Sequence, residues 1–234
     1  MKAKVHAIIV AAGKGIRMSD SVRKQYIALD GMPMLSRTLG VFNHCDLIDR
    51  IIVAVPEDDI DFCRNEIIPA ANMGKDPILV IGGARRQDSV YNSLKTIETD
   101  DGVVLIHVGV RPFVNPEHLV ACIKGAQKHG ACILGIPAFD TVKHVNAKNE
   151  IIQTQKRDRL WLAQTPQAFQ LQLIKKAHKI AKKEGFMGTD DASLVERLGG
   201  VVKIIPGSRS NIKITNQEDL KLAQALLQIS ASDL

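Results

Sequence analysis

Apolar residues in the first half of the chain fall into short runs rich in β-branched side chains, separated by stretches in which they recur every three or four positions. The runs at 6–10, 51–55, 78–81, 103–107 and 132–136 have strand length and composition. Between them, 33–42, 58–68, 87–97 and 116–128 carry the spacing of amphipathic helices, and Pro33 and Pro116 stand where a first helical turn tolerates proline. Such alternation predicts right-handed βαβ units: an α/β fold with a mostly parallel sheet flanked by helices. Ligands of these sheets gather beyond the carboxyl ends of the strands, where loop 11–18, Gly82-Gly83 and Arg111 should emerge.

The second half breaks this rhythm. Residues 140–145 and 150–154, joined by the turn-prone Asn146-Ala147-Lys148-Asn149, read as a polar hairpin, the centre of a protruding arm at about 138–158. A two-stranded ribbon is marginal alone in water, so the economical expectation is a homodimer in which copies exchange arms. Helices at 170–183 and 190–198, a strand at 201–205 and a final helix at 220–227 capped by Asn216 complete the pattern. With no repeat, low-complexity tract or linker, residues 1–234 are expected to form one domain.

At 234 residues the chain is long enough to bury a core without covalent staples. Cys45, Cys63, Cys122 and Cys132 form no C-x-x-C pair and read as buried, reduced thiols rather than a zinc site. No apolar stretch has the length of a signal peptide or a bilayer span, so a cytoplasmic protein with no membrane partner is expected. The net charge of +6 favours anionic partners, but aromatic residues are only 4% and are not interleaved with the basic ones. That gives little support to a stacking platform for single-stranded nucleic acid, and with no nucleic-acid partner expected, phosphorylated small molecules fit better. Lys175, Lys176, Lys179, Lys182 and Lys183 read as the solvated face of a helix.

The candidate chemistry begins with Val10-Ala11-Ala12-Gly13-Lys14-Gly15-Ile16-Arg17-Met18, followed by Lys24-Gln25-Tyr26. Small residues after a strand let backbone N–H groups approach an anion. Arg17 offers a planar fork and Lys24 a mobile charge, a pair suited to the charge that develops when a phosphoryl group is attacked. Neither G-x-x-x-x-G-K-[ST] nor G-x-G-x-x-G is present, which removes the P-loop and the dinucleotide fingerprint. A second glycine turn, Gly82-Gly83-Ala84-Arg85-Arg86, could lie flat against a base, with Ser89 in reach of base or ribose and Asp88 favouring the helix start. His107 reads as a satisfied structural group rather than a general base. Arg111 is placed for a phosphate or sugar, Thr165 and Lys213 stand in polar segments, and Thr189 reads as a helix N-cap.

Taken in order, these motifs resemble one family, the 2-C-methyl-D-erythritol 4-phosphate cytidylyltransferases of the non-mevalonate isoprenoid pathway. The match includes Ala11-Ala12-Gly13-x-Gly15-x-Arg17-Met18, Lys24-Gln25-Tyr26, Gly82-Gly83 with Arg86 and Asp88-Ser89-Val90, and Arg111-Pro112. It continues through Asp140-Thr141-Val142-Lys143, Arg157, Gln164-Thr165-Pro166-Gln167, Thr189-Asp190 and Asn211-Ile212-Lys213. The resemblance implies a Rossmann-like nucleotidyltransferase fold, a dimer in which each arm reaches into the partner's site, and transfer of a cytidylyl group from CTP, with magnesium, to a sugar-alcohol phosphate. It implies that Arg17 and Lys24 stabilise the transition state and that Ala11, Ala12, Gly13, Gly15, Gly83, Ala84 and Ser89 hold CTP. Arg111, Thr141, Arg157, Thr165, Thr189 and Lys213 would surround the second substrate. The chain departs from the family pattern at Val108, where the H-D-x-x-R-P motif carries Asp, and at Ala84, where some members carry Asp. A ribitol-5-phosphate cytidylyltransferase and a catalytically impaired nucleotide-binding homologue are the alternatives.

Overall fold

The computed structural model describes residues 3–13 and 22–232. Arg17 and Gly15, singled out above, lie outside the described residues, as does the rest of 14–21. The strands in chain order are β1 (Val5–Val10), β2 (Ala28–Leu29), β3 (Met32–Pro33), β4 (Arg50–Val55), β5 (Ile78–Ile81), β6 (Val103–Val108), β7 (Ala131–Pro137), β8 (Lys143–Val145), β9 (Ile151–Thr154), β10 (Trp161–Gln170) and β11 (Lys203–Pro206). Seven of them form one sheet in the order β11-β7-β10-β6-β1-β4-β5, in which β10 alone runs antiparallel to its neighbours.

Alternation along β1 shows how the sheet is covered. Val5, Ala7 and Ile9 face one cluster with Leu35, Leu39 and Phe42 of the Met34–Asn43 helix and Leu119 and Ile123 of the Pro116–His129 helix. Ile8 and Val10 face the other, with Val90 and Leu94 of the Arg86–Lys95 helix and Ile174 and Ala177 of the Leu171–Lys183 helix. A strand buried on both faces reads as a continuous apolar run, and all six residues of β1 are buried. Each large side chain fully buried in these layers, Phe42 among them, contributes about 1.5–3 kcal/mol.

The five predicted strands of the first half are present within one or two residues of their expected ends. The helix expected at 58–68 is broken into a 3₁₀ turn (Glu57–Asp59), one α turn and a π stretch at Cys63–Ile67. Strand β10 was not expected, because Gln164, Thr165, Pro166 and Gln167 interrupt its apolar pattern and proline argues against a central strand. Its register against β7 breaks between Ala163 and Gln167, and Pro166 sits inside that break, where its missing N–H forfeits no ladder bond. The helix after Thr189 is capped by Asp190, not by Thr189: Asp190 Oδ1 accepts the Ser193 N–H at 2.9 Å. Asn216 does cap the last helix, accepting the Asp219 N–H at 2.8 Å while Asp219 Oδ2 accepts the Asn216 N–H at 3.1 Å. Lys175 departs from the solvated face, its ammonium donating to the carbonyls of Ile97 and Thr99 at 2.6 and 2.7 Å. All four cysteines are buried and free.

The hairpin forms as expected from β8 and β9, and every residue of both strands is exposed. Its apolar members, Val145, Ile151 and Ile152, find no core on their own chain. No helix among the described residues is long and apolar enough to cross a membrane.

Candidate nucleotide cleft

Strand order reverses at β1: β4 and β5 lie to one side and β6 to the other. The chain ends of this switch point are tied edge to edge. Ala11 N–H donates to Ala54 O at 2.8 Å, Gly82 N–H to Val55 O at 2.8 Å and Gly109 N–H to Val10 O at 2.9 Å. The loops that follow therefore open on one crevice, as expected of parallel α/β sheets.

Ala11, Ala12 and Gly13 line that crevice together with Gly83, Ala84 and Ser89 of the second glycine turn. The two turns need small residues for different reasons. A Cβ on Gly82 would stand 2.2 Å from Ala12 Cβ, and one on Gly83 would stand 2.2 Å from Asp88 Cβ, so these glycines pack the turn against its neighbours. A Cβ on Gly13, which also lines the crevice, would meet nothing within 4 Å among the described residues. Ser89 is anchored locally, its hydroxyl accepting from Gly83 N–H at 3.0 Å and donating to Arg85 O at 3.1 Å, which leaves one acceptor lone pair for a ligand.

Lys24 and Lys213 line the same crevice. Lys24 opens a 3₁₀ turn, Lys24–Tyr26, whose two other residues are buried anchors. Gln25 Nε2 donates to Ala11 O at 2.8 Å and to Gly13 O at 3.2 Å, binding the first loop to this turn. The Tyr26 hydroxyl donates to Asp59 Oδ2 at 2.9 Å, and Arg23 Nε lies 3.0 Å from the same oxygen. Burial, joined by Cys63 and Asp59, pushes the Tyr26 phenol far up, so it remains a donor at any ordinary pH. Arg85 and Arg86 add cationic lining that the sequence reading did not assign.

The described lining is basic and holds no carboxylate: Val108 and Ala84 both face the cleft. Among the described residues, no cluster of three or more His, Cys, Asp or Glu side chains could hold a metal. The donor set here, backbone amides, ammonium and guanidinium groups, fits phosphate oxygens and does not fit a protein-bound Mg²⁺.

Arg111 and Thr165 are not in the described lining of the cleft and are linked to each other through Asn211. One Arg111 amino group donates to Asn211 O, while Asn211 Nδ2 donates to Thr165 O at 2.9 Å. Burial lowers the Arg111 pKa to about 10, which leaves it charged at neutral pH, and its Nε has no partner among the described residues. His107 is fully buried, and desolvation first of all holds its pKa at about 3, so the ring is neutral. Thr189 is exposed just before the Asp190 cap. Thr141 and Arg157 sit at the root of the arm, where Arg157 donates to the Phe139 carbonyl.

A family model described as 2-C-methyl-D-erythritol 4-phosphate cytidylyltransferase matches residues 5–229. A protein of that name from Syntrophus aciditrophicus is 48% identical over 228 residues, covering 97% of each chain. One from Geobacter metallireducens is 47% identical, covering 96% of this chain and 97% of its own. Among solved structures, 4-diphosphocytidyl-2C-methyl-D-erythritol synthase from Anaerococcus prevotii superimposes with a TM-score of 0.86 at 35% identity, covering 97% of this chain and 96% of its own. The 2-C-methyl-D-erythritol 4-phosphate cytidylyltransferase of Francisella tularensis gives 0.81 at 33% identity, covering 95% and 99%.

Proposed function

This chain belongs to the 2-C-methyl-D-erythritol 4-phosphate cytidylyltransferase family, and we propose that it joins CTP to 2-C-methyl-D-erythritol 4-phosphate, giving 4-diphosphocytidyl-2-C-methylerythritol and pyrophosphate. The observation that carries the reading is the basic crevice at the topological switch point, whose described lining holds no carboxylate and brings Lys24, Lys213 and Arg86 together with the small-residue turns of Ala11–Gly13 and Gly83–Ala84.

The monoester phosphate of the acceptor is already a nucleophile at neutral pH. One of its oxygens forms a bond to the α-phosphorus of CTP as the bond from that phosphorus to the β-bridging oxygen breaks, and pyrophosphate leaves with the electron pair. No general base is needed, which agrees with a buried, neutral His107. What the step needs is alignment and charge neutralisation. Ala11, Ala12, Gly13, Gly15, Gly83, Ala84 and Ser89 hold the nucleotide, and Lys24 with Arg17 answers the charge that builds on the transferred phosphoryl group. Arg111, Thr165, Thr189 and Lys213 form the acceptor side, with Thr141 and Arg157 supplied across a homodimer by the partner's arm. The exposed apolar residues of β8 and β9 support that exchange. Magnesium would enter with CTP as part of the substrate and would screen the charge of the triphosphate. The reaction belongs in the cytoplasm, where buried free thiols persist.

The test is pyrophosphate release from CTP and magnesium with 2-C-methyl-D-erythritol 4-phosphate, run beside ribitol 5-phosphate and beside no acceptor. Release with the methylerythritol substrate alone is expected. Release only with ribitol phosphate, or nucleotide binding without release, overturns the assignment.

A further inference from the structure

Asp191 is a carboxylate with a side chain only 1% exposed, in the first turn of the Asp191–Arg197 helix. A charge that deep persists only where donors or cations answer it. Two do so: Arg86 Nη2 lies 2.5 Å from Oδ2, and His178 Nε2 lies 3.0 Å from Oδ1. Burial by itself raises the Asp191 pKa, but the Arg86 charge and the His178 hydrogen bond outweigh it and hold the group ionised.

Arg86 faces two ways. It pairs with Asp191 through Nη2, and the same residue lines the cleft. The next residue continues the clamp: Gln87 donates to Phe186 O and accepts from Gly188 N–H, both at 3.0 Å. On the far side Gln167 of β10 donates to Asp190 Oδ2 at 2.7 Å and accepts the Asp191 N–H at 3.1 Å. The turn bearing Asp191 is thus pinned to a central strand and to the cleft wall together.

We infer that Asp191 is a positioning residue that fixes the Arg86 guanidinium in the wall of the cleft, so that its charge is set before a nucleoside triphosphate arrives. An arginine ordered in advance loses less side-chain freedom on binding, and its planar fork keeps one orientation toward the phosphates. This inference rests on the reading of the cleft as the CTP site.

Steady-state pyrophosphate release as a function of CTP concentration tests it in Asp191→Asn, Arg86→Gln and the double variant, with thermal melting of each. Asn keeps the shape of Asp191 and an oxygen for His178 while deleting the charge opposite Arg86. Each single variant is expected to raise KM for CTP about tenfold with kcat held within about threefold. The double variant should be no worse than the poorer single one, because the two residues act as a unit. A lowered Tm with unchanged KM for CTP, or losses that multiply in the double variant, overturns the inference. Should Asp191→Asn fail to fold, Arg86→Gln and Arg86→Lys decide: a raised KM partly restored by Lys supports it, and equal KM in both and in the parent overturns it. A parent enzyme that releases no pyrophosphate sinks the CTP reading instead, which keeps the two failures apart.

Discussion

The Thr165 hydroxyl lies 3.0 Å from Nδ1 of His107 and accepts the Val108 N–H at 3.3 Å, stitching β10 to the end of β6 beside the cleft. Because the Arg111 carbonyl 3.1 Å from Nε2 can only accept, the proton of the neutral ring sits on Nε2, and Nδ1 accepts the hydrogen bond of the Thr165 hydroxyl. The ring is satisfied on both sides in its neutral form. His107 is therefore a structural link between strand end and arginine turn, not a base.

That link makes stability depend on pH. In the unfolded chain a histidine binds its proton near pH 6.5, whereas folded His107 resists it down to about 3. Between these values the unfolded state holds more protons, so stability falls as pH falls through the window. From pH 7 to pH 5 this one group should cost about 2 kcal/mol. Urea denaturation of the parent and of His107→Asn at both pH values measures it; equal pH dependence in the two proteins would refute the neutral buried ring. His6, lowered first by burial and then by Arg50, acts in the same direction in both proteins and cancels from the comparison.

Lys24→Ala removes an ammonium from the cleft wall while Gln25 and Tyr26 keep the turn anchored. Turnover should fall by roughly 10²–10³, equivalent to about 3–4 kcal/mol of transition-state stabilisation. The melting temperature should be unchanged. Near-normal pyrophosphate release would remove Lys24 from the mechanism.

Gln25→Leu keeps the buried volume but deletes the donor to Ala11 O and Gly13 O. Leaving those carbonyls unanswered should cost about 1–3 kcal/mol. Since the loop they belong to lines the cleft, KM for CTP should also rise. Unchanged stability and KM would show that the loop is held by other means.

Replacing Ile151 and Ile152 with lysine tests the arm. Both side chains are more than half exposed, at 62% and 59%, so the fold of one chain does not depend on them. Sedimentation of the parent should give a dimer and of the double variant a monomer, with pyrophosphate release lost in the variant. A parent that sediments as a monomer, or a variant that stays dimeric and active, contradicts arm exchange.

The sequence by itself determined the alternation of strands and helices, the parallel core and the two small-residue turns. Those properties live in local periodicity: which face of a strand or helix is apolar is written within a few residues of itself, and Val5–Val10 could be read without knowing its neighbours. It also yielded the family likeness and the Asn216 cap, because a cap is a contact between residues three apart. Tertiary structure decided the rest. Strand β10 was illegible because glutamines and a proline that look like a loop become a central strand only when β6 and β7 offer ladders on both sides. The Arg86–Asp191 pair joins residues from distant helices, and nothing near either one announces the other. Thr165 and His107 likewise acquire their roles from a strand inserted between others. A polar side chain carries its chemistry in the sequence, but its partner is chosen by which element folds against it, and burial then makes that choice binding.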